Sequence, residues 1–342
     1  MDVGLVFDLR SEYVRQGLAP EQVAEFDTDE TISAIEGAIR SLGHGVERVG
    51  GGRALAARLA AGARWDLVFN FAEGLCGRSR EAQVPCLLEL YGVPYTFSDP
   101  LACAATLDKA AAKRLVRDAG LPTPPFAVVR DEGDLAGVDL EYPLFAKPLA
   151  EGTGKGIDRR SRVDTPAALA AVCRDLLARF AQPVLVEEYL PGREFTVAVL
   201  GTGREARVLG AMEIEVRREA GSDIYSYQAK ERCEELVRYV SRPPSPALES
   251  SDGPAAALWR EAEALALAAY RVLECRDAGR VDVRCDRAGR PALLEVNALP
   301  GLHPTHSDLP MIAAREGMSY RDLIGAIIGC ACRRLGIGHE AE

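Results

Sequence analysis

The chain has 342 residues, 48% of them hydrophobic and 27% charged, and a formal net charge of −10. That length and apolar content predict two or three domains around a substantial core, while the acidic balance disfavours a nucleic-acid partner, which needs a clustered basic face. No apolar run approaches the roughly 20 residues of a membrane span, Met1-Asp-Val-Gly carries no basic leader, and nine cysteines without a paired framework read as reduced, mostly buried thiols.

Taken in chain order, residues 2–7 form a short apolar strand, and Asp27-Thr28-Asp29-Glu30 offers capping residues before a helix over 31–42, with Ile32, Ile35, Ile39 and Leu42 at helical spacing. Trp65 to Phe71 reads as another strand, and Glu81 to Tyr91 as a helix that ends before Gly92-Val-Pro. The region up to about Ser98 therefore predicts a small parallel-sheet domain. An alanine-rich helix over 108–119 is stopped by Gly120-Leu-Pro-Thr-Pro-Pro125, whose prolines cannot continue it. Strands over 142–147 and 184–188 each end at a charged residue and flank an amphipathic helix over 165–180. Beyond Glu194 come strands over 195–200 and 208–216 and a helix over 255–273; the polar, aperiodic segment 217–253 between them reads as a functional lid or an insert. Cys330 and Cys332 read as a helix tail rather than a metal site.

The stretch from Arg280 to Gly301 carries the most chemical information. Arg280, Asp282 and Arg284 alternate with Val281, Val283 and Cys285, and Glu295 and Asn297 alternate with Leu294 and Val296, so two strands are predicted. The hydrophilic Asp286-Arg-Ala-Gly-Arg290 between them makes an antiparallel hairpin. A loop centred on Ala288-Gly289 sets Asp282 opposite Glu295 and Arg280 opposite Asn297. Two carboxylates and an amide oxygen on one face suit magnesium, which takes one or two carboxylates and completes its octahedron with water and phosphate oxygens. The alternative is a solvated face on which Asp282 pairs with Arg280 or Arg284.

Glu151-Gly-Thr-Gly-Lys-Gly156 follows the strand that ends at Lys147, so backbone N–H groups and a lysine are placed to meet a phosphate. Its spacing is neither a Walker A loop nor a dinucleotide fingerprint, and by itself it reads equally well as a surface hairpin. His303 and His306 lack a third ligand, which favours loop or substrate-pocket roles over a metal pair. Ser307 could equally cap a helix starting near Leu309.

The order of Thr106-Leu-Asp-Lys109, Phe145-Ala-Lys147-Pro, the glycine loop, Val186-Glu-Glu-Tyr-Leu-Pro-Gly-Arg-Glu194, Tyr227-Gln-Ala-Lys230, Gly279-Arg-Val-Asp282 and Leu294-Glu-Val-Asn-Ala-Leu-Pro-Gly301 resembles the ATP-grasp superfamily. Within it, the chain looks most like the D-alanine:D-alanine ligases, from about Gly92 to Ile328. The resemblance implies an α/β (α+β) fold of three domains: a Rossmann-like parallel-sheet domain over 1–98, then ATP held between α+β domains over 99–190 and 191–342. It implies an enzyme that joins an amino-acid carboxylate to an amine through an acyl phosphate, with D-alanine:D-alanine ligation or a related dipeptide ligation as the activity. ATP and two magnesium ions are the expected cofactors, with manganese as an alternative ion, and a cytoplasmic homodimer acting on small molecules is expected. A non-catalytic nucleotide-binding regulator and a small-molecule kinase are the competing readings.

Residue by residue, the resemblance places Lys109 and Lys147 at the phosphates and adenine, and Thr153 on the loop over the phosphates. It places Glu187, Glu188 and Leu190 around the adenine, and Glu194 at the ribose. Lys230 matches a lid lysine that reaches the terminal phosphate; Asp282, Glu295 and Asn297 match metal ligands; Arg280 matches the arginine that steadies the reacting carboxyl oxygen; Gly301 and Ser307 face the acceptor. The resemblance weakens at the donor end, where Asn70-Phe-Ala-Glu73 lacks a histidine and the glutamate that holds the donor ammonium is absent, with Glu12, Asp27 or Glu30 as candidate substitutes that sequence does not separate. Glu231 stands where an aromatic residue is usual.

Overall fold

The computed structural model describes residues 1–217, 224, 233–241 and 253–337. The expected lid lysine Lys230, its neighbour Glu231 and most of the segment 217–253 lie outside the described residues.

Near the N-terminus β1 (Asp2–Val6), β2 (Gly45–Gly50) and β3 (Leu67–Asn70) form a parallel sheet in the order β2-β1-β3. Helices α1 (Arg10–Arg15), α2 (Asp29–Ser41), α3 (Gly52–Ala60) and α4 (Gln83–Leu90) accompany it. Leu5 and Val6 belong to separate apolar clusters, as expected when successive side chains of a parallel strand are buried on both faces. Thr28 caps α2 by accepting from the Thr31 N–H. The helix expected from Glu81 begins instead as a 3-10 turn over Arg80–Ala82.

Next come α5 (Pro100–Leu107), α6 (Lys109–Asp118), β4 (Phe126–Val129), β5 (Leu144–Pro148), β6 (Arg162–Val163), α7 (Pro166–Phe180) and β7 (Val184–Glu188). The strands form an antiparallel sheet in the order β4-β7-β5-β6, and Leu169, Cys173 and Leu176 of α7 fill its core with Ala146 and Val186. Asp108 accepts from the Ala111 N–H, which starts α6 with Lys109 at its first position.

A second antiparallel sheet, ordered β10-β9-β8-β11-β12, comprises β8 (Glu194–Leu200), β9 (Arg207–Val216), β10 (Val237–Ser241), β11 (Ala278–Cys285) and β12 (Pro291–Asn297). Helix α8 (Pro254–Val272) packs Trp259, Ala266 and Tyr270 onto Val197, Val281 and Val283. Helices α9 (Asp308–Arg315) and α10 (Tyr320–Leu335) join the first and third sheets, because Ile324 and Ile327 share a cluster with Ile35 and Ile39 of α2.

The β11–β12 hairpin pairs Arg280 with Asn297 and Asp282 with Glu295, the register expected from sequence. Beyond Asp282 the register shifts, so that Val283 faces Leu293 and Leu294 becomes the extra residue of a bulge. Beside the bulge the Leu293 peptide is claimed from outside the sheet: its N–H donates to Pro122 O at 2.8 Å, and its carbonyl accepts from Thr123 Oγ1 at 3.0 Å.

Candidate active site

Alternation along β11 sends Val281 and Val283 to α8 and turns Arg280, Asp282 and Arg284 to the opposite face. Arg280 Nε and Nη2 donate to the two oxygens of Asp282 at 3.1 and 2.9 Å. The same guanidinium lies 3.3 Å from Asp308 and 3.8 Å from Glu295, and Lys109 Nζ is 3.3 Å from Glu295. The pairing of Arg280 with Asp282 is therefore present, but not on a solvated face: their side chains are 13% and 11% exposed. Burial weakens the Arg280 cation, yet Asp282, Asp308 and Glu295 outweigh it and hold its pKa above the ordinary value.

A second charge cluster sits behind the first. Glu187 on β7 lies 2.7 Å from Lys147 on β5 and 2.9 Å from Lys113 on α6, with all three side chains buried. Burial pushes the Lys113 pKa down to about 8 despite Glu187. For Lys147 burial acts the same way, but Glu187 and Glu295 override it and leave the pKa raised. Lys147, Glu187, Glu188, Leu190, Glu194 and Asp282 wall one cavity between the two antiparallel sheets. Arg284 lies 3.1 Å from Glu194 and sits over the Tyr189 ring, which stacks on Phe145.

The glycine loop borders this cavity through Gly154 and Lys155. Thr153 and Gly154 take φ of 54° and 74°, and among the described residues neither N–H has a hydrogen-bond acceptor. Two neighbouring unpaired N–H groups at positive φ are suited to an anion. At the loop's base a Cβ on Gly156 would meet Pro148 at 2.6 Å, so a side chain there is excluded.

A wider cleft of about 700 Å³ opens beside this cavity, with Asp27, Glu73, Arg280, Asn297, Gly301 and Ser307 in its wall. Lys109, Glu151 and Glu295 line both spaces, so the two meet at the Lys109–Glu295 pair. Ser307 occupies the N-cap position of α9 without capping it; its Oγ accepts from the His303 N–H at 2.9 Å and pins the 301–307 loop. His303 and His306 also line the cleft, with rings 4.7 Å apart. Among the described residues no group of three or more His, Cys, Asp or Glu is placed to hold a metal ion. An ion at the hairpin would thus rely on Asp282, Glu295 and the Asn297 amide, with phosphate oxygens completing its shell. That donor set fits: the two carboxylates are paired across the hairpin, and the buried Asn297 Nδ2 has no hydrogen-bond partner among the described residues.

Of the three residues considered for a donor ammonium, only Asp27 lines the cleft. Glu12 is exposed on α1, and Glu30 is exposed and lies 3.7 Å from His303. Burial pushes the Asp27 carboxyl up to about 7, Arg10 opposing and Asp8 reinforcing. Sequence reasoning missed Lys113, Asp308, Arg284 and Glu25. Lys113 had a signal: one turn after Lys109 in an alanine-rich helix, it puts two lysines on one face.

The D-ala D-ala ligase C-terminus family model matches residues 115–329. A D-alanine–D-alanine ligase of Bordetella pertussis is 39% identical over 287 residues, 83% of each chain. One from Cupriavidus taiwanensis is 38% identical over 277 residues, 80% of this chain and 78% of the relative, and an uncharacterized protein of Sinorhizobium fredii is 39% identical over 270 residues, 78% and 75% of the two chains. The fold is also that of a Bacillus anthracis D-alanine–D-alanine ligase solved in complex with ATP, at a TM-score of 0.70, 20% identity and 98% coverage of both chains. With its family model spanning more than half the sequence and relatives matching along four fifths of it, the chain belongs to the D-alanine–D-alanine ligase family of ATP-grasp carboxylate–amine ligases.

Proposed function

We propose that the protein uses ATP to join one D-alanine to another, or carries out a closely related dipeptide ligation. The carrying observation is the meeting of two spaces at Lys109 and Glu295, one suited to a nucleotide and one to small polar substrates. Reaction at that junction needs no enzyme nucleophile. The donor carboxylate attacks the terminal phosphoryl group, ADP leaves, and the acyl phosphate is then attacked by the acceptor amine through a tetrahedral oxyanion that expels phosphate.

In this reading the glycine loop and Lys109 neutralise the phosphates, Lys147 with Glu187, Glu188 and Leu190 receives the adenine, and Glu194 takes the ribose. Arg280, charged and fixed by Asp282 and Asp308, steadies the oxyanion, while Gly301 and Ser307 shape the acceptor side. Lys230 is proposed for the terminal phosphate. Asp282, Glu295 and Asn297 would hold magnesium, which supplies charge neutralisation for the transferring phosphoryl group when bound. Asp27 is the donor-ammonium candidate that the cleft geometry supports. No helix among the described residues is long and apolar enough to cross a membrane, and a cytoplasmic homodimer is the form we propose.

Purified protein incubated with ATP, magnesium and a panel of amino acids should release ADP and phosphate and yield an amide by mass spectrometry, with D-alanine supporting turnover. A stable phosphorylated product would instead indicate a small-molecule kinase. Tight ATP binding without turnover on any donor would indicate a regulator.

A further inference from the structure

Glu25 lies in the polar run between β1 and α2, yet its carboxylate is spent on the glycine loop more than 120 residues away. Oε1 accepts from the Gly152 N–H, and Oε2 accepts from Lys155 Nζ at 2.9 Å. Arg80 Nη2 donates to the same Oε2 at 2.8 Å, while Arg80 Nη1 donates to Ala150 O at 2.7 Å. The Glu25 and Lys155 side chains are each only 6% exposed. Ala150, Gly152 and Lys155, the base of the loop, are thus gripped from the N-terminal domain. At the tip, the Thr153 and Gly154 N–H groups have no acceptor among the described residues.

The grip is itself braced. Arg10 donates to Ala24 O at 2.8 Å and to Phe26 O at 3.0 Å, so both neighbours of Glu25 are tied to the start of α1, and the Asp27 N–H donates to Asp8 O at 3.1 Å in the segment between β1 and α1. A carboxylate buried among two cations and a backbone N–H is charge-compensated, and its hydrogen bonds are of the stronger, charge-assisted kind. A phosphate-binding loop acts through the placement of its N–H groups, and misplacement by about 1 Å is costly at a reacting centre.

We infer that Glu25 is a positioning residue for the nucleotide phosphates: it fixes the base of the glycine loop so that the Thr153 and Gly154 N–H groups meet the phosphate chain. The inference rests on the reading that this loop binds ATP. Its consequence is selective. Losing Glu25 should weaken ligands that bear phosphates and leave adenosine recognition, which falls to Glu187, Glu188 and Leu190, unchanged.

The test is calorimetric titration of the full chain with a non-hydrolysable ATP analogue plus magnesium, and separately with adenosine. For Glu25→Gln the expected result is an analogue dissociation constant raised roughly tenfold or more with that for adenosine unchanged. Glu25→Asp, which keeps the charge but shortens the reach, should show the same selective loss in smaller measure and serves if the glutamine variant does not fold. Unchanged analogue affinity in both variants overturns the inference, as does an equal loss for analogue and adenosine, which would mark general disruption. A wild-type protein that binds adenosine but gains nothing from the phosphates would overturn the loop reading itself, a separate outcome.

Discussion

Asp308, at the first position of α9, holds Arg280 from across the cleft, its Oδ2 lying 3.3 Å from the guanidinium Nη1. With Asp282 on the same strand it fixes a buried cation from two sides, so the donor's direction is set before any substrate arrives. Asp308→Asn should lower kcat by roughly tenfold, and Arg280→Lys, which loses the planar fork, by on the order of 10²–10³-fold. Steady-state kinetics at saturating ATP check both; a lysine variant as active as wild type would remove Arg280 from the chemistry.

Glu295 takes part in both spaces and is touched by Lys109 at 3.3 Å. Glu295→Ala should reduce turnover by about 10²-fold or more while the circular dichroism spectrum stays near native. Raised magnesium dependence in Glu295→Gln is the companion expectation. Full activity in the alanine variant would be incompatible with the proposed metal role.

Glu187 compensates two buried lysines, so its removal leaves both without their shared counter-charge. Glu187→Gln should destabilise the protein by about 3–5 kcal/mol, measured by urea denaturation. A loss under about 1 kcal/mol would mean that Lys113 and Lys147 find other partners or shed their protons.

The Asp27 carboxyl titrates at about 7 in the folded chain, raised by burial, with Asp8 adding to the effect and Arg10 opposing it. In the unfolded chain it titrates near ~3.9. Between those values the folded state binds more protons, so stability falls as pH rises through the window and levels off above it. Glu73, raised by burial and by Glu81, contributes in the same direction. Asp27→Asn should flatten this slope and raise the melting temperature above about pH 8 by roughly 2 °C or more. Identical pH profiles for the two proteins would refute the assignment.

Alternation and turn residues make much of this legible in the sequence. The register of Arg280 and Asp282 against Asn297 and Glu295 followed from period-two patterning, as did the apolar face that α8 covers. The bulge at Leu294 was hidden because it carries no mark in the alternation, and the Pro122 carbonyl that takes the neighbouring Leu293 N–H comes from a distant part of the chain. Glu25 and Asp308 were missed for a related reason: each acts through a partner far away in sequence, and a lone charged residue carries no sign that it is buried. The Ser307 side chain shows the reverse case. Local sequence allowed a helix cap, and the bond to His303 is what the loop geometry selected.

In the proposed reaction ATP activates a carboxylate for attack by an amine. The most direct measurement supplies D-alanine labelled with oxygen-18 in its carboxyl group, with ATP and magnesium, and follows the label by mass spectrometry. One labelled oxygen per turnover should appear in the released phosphate, alongside ADP and the dipeptide. Phosphate release without label, or a labelled substrate recovered as a stable phosphorylated product with no amide, would contradict the account.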